Sequence, residues 1–236
     1  VKHQITATDL DPTSDLDMGA PEKYLAEHVS QNIDTLKEPF LAVVQMSNVH
    51  YPYYLDPKLP TPFQPWTTSK APEDNPYFKN FYQNSVYQQD LHIAKMIAAL
   101  KASPAGKNTV IVYTSDHAEA FREHGQMGHT FSIFDEEIHV PAWIDAPPGT
   151  LTAAEEQSLR DKRNEYLFHV DVAPTVLDLI GVPDDPRLRT YREKMPGHSL
   201  LRPELTTEPL PMTNCAGVWS CAFANWGFMQ GSRKLE

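Results

Sequence analysis

The segment that most constrains the fold is the run 109–114 (TVIVYT), in which apolar and β-branched residues follow one another without a break. Such a run is typical of a strand that is buried on both faces, as in a sheet covered by helices. The run 40–46 (FLAVVQM) has the same character. A third strand is predicted over 138–144, at the margin of the sheet, because Pro141 cannot donate a hydrogen bond to a neighbouring strand.

Apolar residues at helical spacing lie between and after these strands. They predict four helices, over about 21–37, 78–102, 152–164 and 171–180. Strands that alternate with helices indicate an α/β fold. We therefore expect a mostly parallel sheet with helices on both faces.

Proline and polar residues mark the parts without regular structure. The segment 51–76 is rich in proline and tyrosine, which predicts an extended surface loop. We expect an entry loop at 1–20, the body of one domain at 21–182, and an irregular C-terminal segment of the same domain at 183–236. No internal repeat is present in the sequence.

The charge of the chain restricts its partners. The formal net charge is −11, whereas nucleic acid is bound by basic patches, so nucleic acid is not expected as a partner. No apolar run approaches the ~20 residues that cross a bilayer, and the first residues, VKHQ, lack the features of a signal peptide. A start without methionine predicts a piece of a longer chain, and membrane contact is expected only through segments outside it. The two cysteines, Cys215 and Cys221, leave a local disulfide or two thiols equally open.

Two histidine-bearing segments directly follow predicted strands. Asp116 and His117 come at the end of 109–114, and His50 lies just beyond 40–46. Ligand sites of open α/β sheets lie at the carboxyl ends of strands, so both segments fall where a site is expected. A carboxylate oxygen and an imidazole nitrogen suit a divalent ion such as Mn²⁺ or Zn²⁺, and suit Ca²⁺ less well. For the dipeptide alone, a plainer role as the cap of a turn stays open.

The loop after this dipeptide adds two histidines, His124 and His129, beside Gly125 and Gly128. Glycine lets the backbone approach a small anion closely, and an imidazole can donate a hydrogen bond to one. A single loop histidine is usually only solvated. Together with His117, however, three histidines follow one buried strand, and this arrangement favours an anion site.

The order of these motifs resembles the sulfatase family, within the alkaline-phosphatase-like superfamily. The resemblance covers about 20–200 and implies that family's fold, with the N-terminal half of the catalytic domain outside this chain. It rests on the segments 39–53 (PFLAVVQMSNVHYPY), 84–90 (NSVYQQD), 114–117 (TSDH), 123–125 (EHG), 128–130 (GHT), 136–141 (EEIHVP), 169–175 (HVDVAPT) with Gly181, and 196–200 (PGHSL).

The resemblance implies one divalent metal ion, Ca²⁺, Mn²⁺ or Zn²⁺, and a role for each motif. Asp116 and His117 would be metal ligands. His129 would bind the sulfate or phosphate group, at a position held by Lys or His in relatives. His50 would contact the transferring group or protonate the leaving oxygen. The remaining substrate contacts would come from two residues of the loop, His124 and Thr130.

Several departures from the family's pattern bear on activity. Ala118 stands where many relatives have Gly, and His139 where Arg is usual. The nucleophile motif C/S-x-P/A-x-R, whose Cys or Ser becomes formylglycine, is absent, and neither Cys215 nor Cys221 fits it. The paired aspartates expected near the family's N-terminus are absent as well. Formylglycine is therefore expected in a segment outside this chain, and the chain alone is expected to be inactive.

The resemblance implies a sulfuric ester hydrolase that acts on small-molecule or glycan sulfate esters at a divalent-metal site. Two alternatives stay open. One is a phosphoryl-type hydrolase, or a phosphoethanolamine or phosphoglycerol transferase, on the same fold. The other is a non-catalytic pseudoenzyme or binding module. The family also implies a periplasmic, extracellular or membrane-anchored location.

Overall fold

The structure, a computed structural model, is described here for most of the chain. The chain packs into two compact units, 1–109 and 110–236, and each is described by itself. The predicted domain boundaries after residues 20 and 182 stay predictions. The described residues are 3–14, 18–129, 132–182, 185–215 and 224–236.

The first unit is built on three α-helices, α1 (Ala7–Leu10), α2 (Glu22–Asn32) and α3 (Asn75–Ala102). α2 follows Pro21. Proline lacks a backbone N–H, and this costs nothing at the start of a helix, because the N–H groups of the first turn have no acceptor within the helix. A 3₁₀ turn, Ile33–Thr35, extends α2, so most of the first predicted helix is confirmed. α3 confirms the long helix and begins slightly earlier than predicted. α1 lies in the segment that was predicted to be an entry loop.

Side chains hold the proline-rich loop against α3. Tyr53 is buried, with its ring centroid 5.7 Å from that of Phe78 and 6.0 Å from that of Phe81. Phe63 N donates to Asn84 Oδ1, and Asn84 Nδ2 donates to Phe63 O, each over 2.9 Å. The loop is irregular, as predicted, and yet it is attached to the helix at several points.

The segment 40–46 is not the buried strand that the sequence predicts. Its backbone has no regular structure, and the described residues of the first unit contain no β-strand that could pair with it. Leu41, Val43 and Val44 are 65%, 87% and 42% exposed. An apolar run expresses a preference for burial, but a strand forms only where another strand hydrogen-bonds to its edge.

The second unit contains all the strands of the described residues, together with four α-helices. The elements are β1 (Ile111–Thr114), β2 (Ala120–Phe121), β3 (Met127–Gly128), α4 (Asp135–Ile138), β4 (Ala142–Asp145), α5 (Ala153–Asp161), α6 (Val172–Leu179), α7 (Arg189–Arg192), β5 (Leu210–Cys215), β6 (Ala224–Gln230) and β7 (Arg233–Leu235).

β1 and β4 confirm two of the predicted strands, and they pair antiparallel, from Ile111 opposite Asp145 to Thr114 opposite Ala142. The mixed helix-and-sheet class is therefore as predicted, but the expected parallel pairing is wrong for the described strands, which all pair antiparallel. A parallel neighbour needs a crossover connection of a dozen or more residues, usually a helix. Between β1 and β4, the described residues form only a hairpin and the four-residue helix α4.

The two predicted helices of the second unit are confirmed as α5 and α6. α5 begins with a capping box, in which Thr152 Oγ1 accepts from Glu155 N while the Glu155 carboxylate accepts from Thr152 N. α6 is followed by Gly181 at φ +74°, a left-handed conformation that glycine adopts without a steric penalty.

The C-terminal residues are not irregular throughout, because β5, β6 and β7 form a three-stranded antiparallel sheet. The alternation along β6 is inverted relative to a usual half-buried strand: Trp226 and Phe228 are 68% and 52% exposed, while Gly227 and Met229 are buried. Large side chains on the outer face conceal the period-two pattern on which strand prediction depends. No helix among the described residues is long and apolar enough to cross a membrane.

Candidate functional site

The end of β1 carries the predicted metal-binding dipeptide. Asp116 projects its carboxylate outwards, with 82% of the side chain exposed. The backbone around it is held from two sides. Ala118 N donates to Glu137 O over 2.8 Å, and His169 Nε2 donates to Ser115 O over 2.6 Å. The strand end is therefore fixed by α4 and by the 3₁₀ turn before α6.

His117 is oriented by a local hydrogen bond. Its Nδ1–H donates to Ala118 O over 2.9 Å, which leaves Nε2 with the lone pair that a metal ion requires. Nε2 lies 3.8 Å from Asp116 Oδ2. One imidazole nitrogen and one carboxylate close together are a donor pair that suits a borderline divalent ion.

The pair makes only part of a metal site. In the part of the chain that the structure describes, no group of three or more His, Cys, Asp or Glu side chains is placed to hold a metal ion. The side chains of Asp116 and His117 fit two ligands of such an ion, and a tight site needs more.

The anion-binding histidine of the prediction lies directly beside this pair. His129 follows β3, and its ring stacks on that of His117 with centroids 3.8 Å apart and planes 22° from parallel. Its Nδ1–H donates to Glu119 Oε1 over 3.2 Å. The β2–β3 hairpin therefore brings His117, which precedes it, into contact with His129, which follows it.

The electrostatic surroundings favour a positive charge on His129. Its pKa lies above the ordinary value, chiefly because Glu119 accepts its Nδ1–H. Burial lowers this pKa, while the charges of Glu119, Glu137 and Asp116 raise it further. An imidazole in such surroundings is suited to bind an anion.

Asn214, on β5, holds the backbone at His129 and at Ser132. Its side-chain amide donates to His129 O over 2.9 Å and to Ser132 O over 2.6 Å. Glu137 is buried and accepts a hydrogen bond from the Ser132 hydroxyl. The C-terminal sheet therefore supports the predicted site, although the sequence gives that sheet no part in it.

Of the two residues predicted to bind substrate, His124 is among the described residues and Thr130 is not, and both roles stay predictions. His124 lies at the hairpin turn, where it forms a close hydrogen bond with Glu136 and stacks on Phe134 with centroids 3.8 Å apart. Half of its side chain is exposed. Thr130 lies outside the described residues, as does Cys221, so the alternatives of a disulfide or two thiols also fall outside them.

His50 belongs to the first unit, and its role at the site remains a prediction. It lies in an exposed turn, where His50 N donates to Ser47 O over 2.9 Å and Tyr53 N donates to His50 O over 2.8 Å. Tyr53 has a left-handed backbone, with φ +63°, and its side chain is buried. The turn is therefore ordered by its own backbone and by the anchored tyrosine that follows it.

Two residues at the second-unit site, Glu119 and Asn214, were not singled out by the sequence reasoning. Glycines at 125 and 128 could have indicated a hairpin, whose register would then have placed Glu119 opposite His129. No local signal connects Asn214 to His129, because the contact joins residues 85 positions apart.

Comparisons with known proteins identify the family of the chain. A model of the family described as Sulfatase matches residues 4–182. Arylsulfatase K of Danio rerio is 34% identical over 121 residues, which are 51% of this chain and 20% of that protein. A Delta 4,5-hexuronate-2-O-sulfatase of Bacteroides thetaiotaomicron is 28% identical over 104 residues, 43% of this chain and 20% of that protein. The chain therefore spans about one fifth of the curated relatives it matches.

The fold has a counterpart among solved structures. The crystal structure of a sulfatase candidate from Bacteroides thetaiotaomicron VPI-5482 superposes with a TM-score of 0.62 at 18% sequence identity. The match covers 94% of this chain and 56% of that one. At this identity the likeness concerns the fold alone, an alkaline-phosphatase-like fold. The family model, which spans most of the sequence, carries the assignment: the chain belongs to the sulfatase family.

Proposed function

We propose that the protein hydrolyses sulfate esters and that residues 110–236 supply one side of its active site. The observation that carries the proposal is the stack of His117 on His129, with Asp116 adjacent. A carboxylate and an imidazole of the kinds that bind metal ions, Asp116 and His117, therefore lie close to the imidazole of His129. Sulfate carries negative charge on its oxygens, and such a region neutralises that charge.

Each residue has a role in this proposal. Asp116 and His117 hold a divalent ion, which when bound neutralises charge on the sulfate oxygens and lowers the pKa of a coordinated nucleophile. His129 donates a hydrogen bond to a sulfate oxygen, with its ring held by Glu119. His50 assists departure of the alcohol oxygen. His124 and Thr130 contact the substrate.

The nucleophile is proposed to be a formylglycine outside residues 1–236. The sequence contains no C/S-x-P/A-x-R motif, and the matched relatives are much longer than the region they share with this chain. Further metal ligands are expected from the same source, since the donor pair alone makes only part of a site.

A sulfated sugar is the proposed substrate class. One relative is named as a 2-O-sulfatase of a Δ4,5-hexuronate, an unsaturated sugar acid. Another matched relative is named as an arylsulfatase. An aryl sulfate is therefore a suitable chromogenic probe, and a sulfated disaccharide a suitable test of the natural class.

The imidazole at 117 is the one observation that favours phosphoryl transfer as a second candidate. A nitrogen ligand is more usual for Mn²⁺ or Zn²⁺ than for Ca²⁺, and those ions also serve phosphate chemistry. An aryl phosphate diester assayed beside the aryl sulfate separates the two reactions.

The deciding experiment uses the protein expressed from its complete reading frame, with an aryl sulfate as substrate. Asp116→Ala and His129→Ala should each lower kcat/KM by at least about a hundredfold, the usual loss for a well-placed electrostatic group. Asp161→Ala and His198→Ala remove the same residue types elsewhere in the second unit and should leave the rate almost unchanged. Near-normal turnover in either site variant would exclude these roles, and a wild type without any esterase activity would favour a non-catalytic binding module.

A further inference from the structure

The register of the β2–β3 hairpin brings Glu119 and His129 together. Ala120 lies opposite Gly128 in the ladder. One position further from the turn, the same antiparallel register sets residue 119 against residue 129. The two side chains meet there, with His129 Nδ1 3.2 Å from Glu119 Oε1. Their pairing therefore follows from the backbone and not from an adventitious surface contact.

The Glu119 carboxylate is enclosed by protein. Its side chain is 3% exposed, against 19% for that of His129. Removing a carboxylate from water costs free energy unless hydrogen bonds replace those of the solvent. The Nδ1–H of His129 supplies such a bond. A surface carboxylate would contribute little to the orientation of the ring, whereas an enclosed one has few alternative arrangements.

We infer that Glu119 is the positioning residue of His129: by accepting the Nδ1–H, it holds the ring so that the other N–H, at Nε2, is directed at an anion. The inference rests on the proposed function, in which His129 binds the sulfate group. Histidines that ligate a metal ion through one ring nitrogen almost always donate the other N–H to a carboxylate, a backbone carbonyl or water, which fixes the orientation of the ring. A carboxylate can hold the ring of an anion-binding histidine in the same way.

Two further contacts complete the support of this histidine. Its ring face lies on His117, and its carbonyl oxygen accepts from Asn214. A ring that is held at one nitrogen, at one face and at its own backbone has a single orientation. Each contact comes from a different part of the second unit: the hairpin, the end of β1, and the C-terminal sheet.

The chemistry of the side chain explains why a partner is needed at this position. The ammonium of a lysine donates hydrogen bonds in three directions whatever its rotation. A protonated imidazole donates only from its two ring nitrogens and only in the plane of the ring, so its Nε2–H reaches an anion only when that plane is held. Glu119 holds the ring plane of His129 by accepting its Nδ1–H.

A double-mutant cycle on the protein from the complete reading frame tests the inference. With an aryl sulfate, Glu119→Ala and Glu119→Gln should lower kcat/KM by about ten- to a hundredfold, the usual effect of losing the carboxylate behind a ligand-binding histidine. In a His129→Ala background the same changes should alter kcat/KM by less than about twofold, because Glu119 acts only through His129. Losses that multiply in the double variant would overturn the inference.

A second measurement does not depend on turnover. Long-range ¹H–¹⁵N correlation spectra of the imidazole follow the binding of sulfate by His129 in the wild type and in Glu119→Ala. Added inorganic sulfate should shift the His129 signals in the wild type at lower concentration than in the variant. Equal sulfate midpoints in the two proteins would contradict the positioning role.

Glu123→Gln is the matched control for the hairpin. Glu123 accepts from Phe121 N within the same turn, whereas the carboxylate at His129 Nδ1 is that of Glu119. The change Glu123→Gln should leave kcat/KM and the imidazole spectra unchanged. If the wild type hydrolyses no sulfate ester, the proposed function fails, and the imidazole spectra still decide whether Glu119 orients His129. If the wild type is active and the losses multiply, only the positioning role fails.

Discussion

Glu22 and Asn48 hold each other through two reciprocal hydrogen bonds. Glu22 N donates to Asn48 Oδ1, and Asn48 N donates to Glu22 Oε1, each over 2.9 Å. Both residues are buried, and Gln89 on α3 donates a third bond to Glu22 Oε1 over 2.8 Å. The pair ties the start of α2 to the turn that carries His50.

Asn48→Ala should destabilise the first unit by about 1–3 kcal/mol, because the N–H of Glu22 loses its acceptor inside the protein. The same change removes the bonds from Asn48 Nδ2 to Met18 O and Ala20 O. Denaturant unfolding followed by circular dichroism measures the loss. Asn108→Ala, at an exposed turn of the same unit, should change stability by less than about 0.5 kcal/mol. Equal effects would show that the reciprocal pair is unimportant.

Glu22→Gln should become more stabilising, relative to the wild type, as the pH rises. Burial raises the pKa of Glu22 above its ordinary 4.5, although hydrogen bonds from Gln89 and from the backbone at 47 and 48 oppose the shift. A raised pKa in the folded state means that the contribution of this carboxyl to stability is complete below the unfolded-state pKa. It is lost as the pH rises through the folded-state pKa.

The measurement is the difference in unfolding free energy between Glu22→Gln and the wild type at several pH values from about 4 to 7. Glutamine does not titrate, so the difference should move in favour of the variant with increasing pH. A difference that is independent of pH would show that Glu22 has the same pKa in the folded and unfolded chain.

Asp178→Asn should lower stability at neutral pH, and the loss should shrink in acid. Burial by itself raises the pKa of Asp178, but hydrogen bonds from Arg202 and Ser199, with the Arg202 charge, bring it below its ordinary 3.8. A lowered pKa contributes stability that is present above 3.8 and is lost as the pH falls through the folded-state value. The expected loss at neutral pH is roughly 1.5–3 kcal/mol, that of hydrogen bonds to a charged group.

Glu156→Gln is the control for this ion pair. Glu156 and Arg160 form an i,i+4 pair on the exposed face of α5, so water screens their attraction. Its removal should change stability by no more than about 0.5 kcal/mol. Urea unfolding of both variants at neutral and acid pH gives the comparison, and a loss in Asp178→Asn that persists unchanged below pH 3 would contradict the assignment.

Gly227→Ala should destabilise the C-terminal sheet. A Cβ at 227 would lie 2.4 Å from Ile133 Cδ1 and 2.5 Å from Leu235 O, and the second of these is backbone that cannot turn aside. Forcing a methyl group into filled space costs about 1–3 kcal/mol. Phe228→Tyr, on the exposed face of the same strand, should cost less than about 0.5 kcal/mol. Hydrogen exchange of the β6 amides reports both, and equal protection in the two variants would contradict the close approach at Gly227.

Helices and turns were predictable because their causes are local. The apolar spacing of α2 and α3, the capping box of α5 and the left-handed glycine after α6 all involve residues within a few positions of one another. The position of Asp116 and His117 at the end of β1 was predictable for the same reason. The β-branched run 109–114 indicates the strand, and the residues that directly follow the run must lie at the end of that strand.

Contacts between distant residues were not predictable. The segment 40–46 has the composition of a buried strand, yet whether it pairs depends on other strands, and it has none among the described residues of its unit. β6 was missed because its aromatic residues lie on the exposed face and a glycine lies on the covered one. Composition measures what a residue prefers, whereas burial depends on what packs against it.

By itself the sequence determined the family, the order of the helices, and the side chains available for metal and anion binding. Only the tertiary structure decided how those side chains are held. The hairpin register sets Glu119 against His129, the ring of His129 lies on His117, and Asn214 reaches the same loop from the C-terminal sheet. The physical reason is that hydrogen bonds and ring contacts act over a few ångströms in space, and only folding brings residues from separate parts of the chain to that distance.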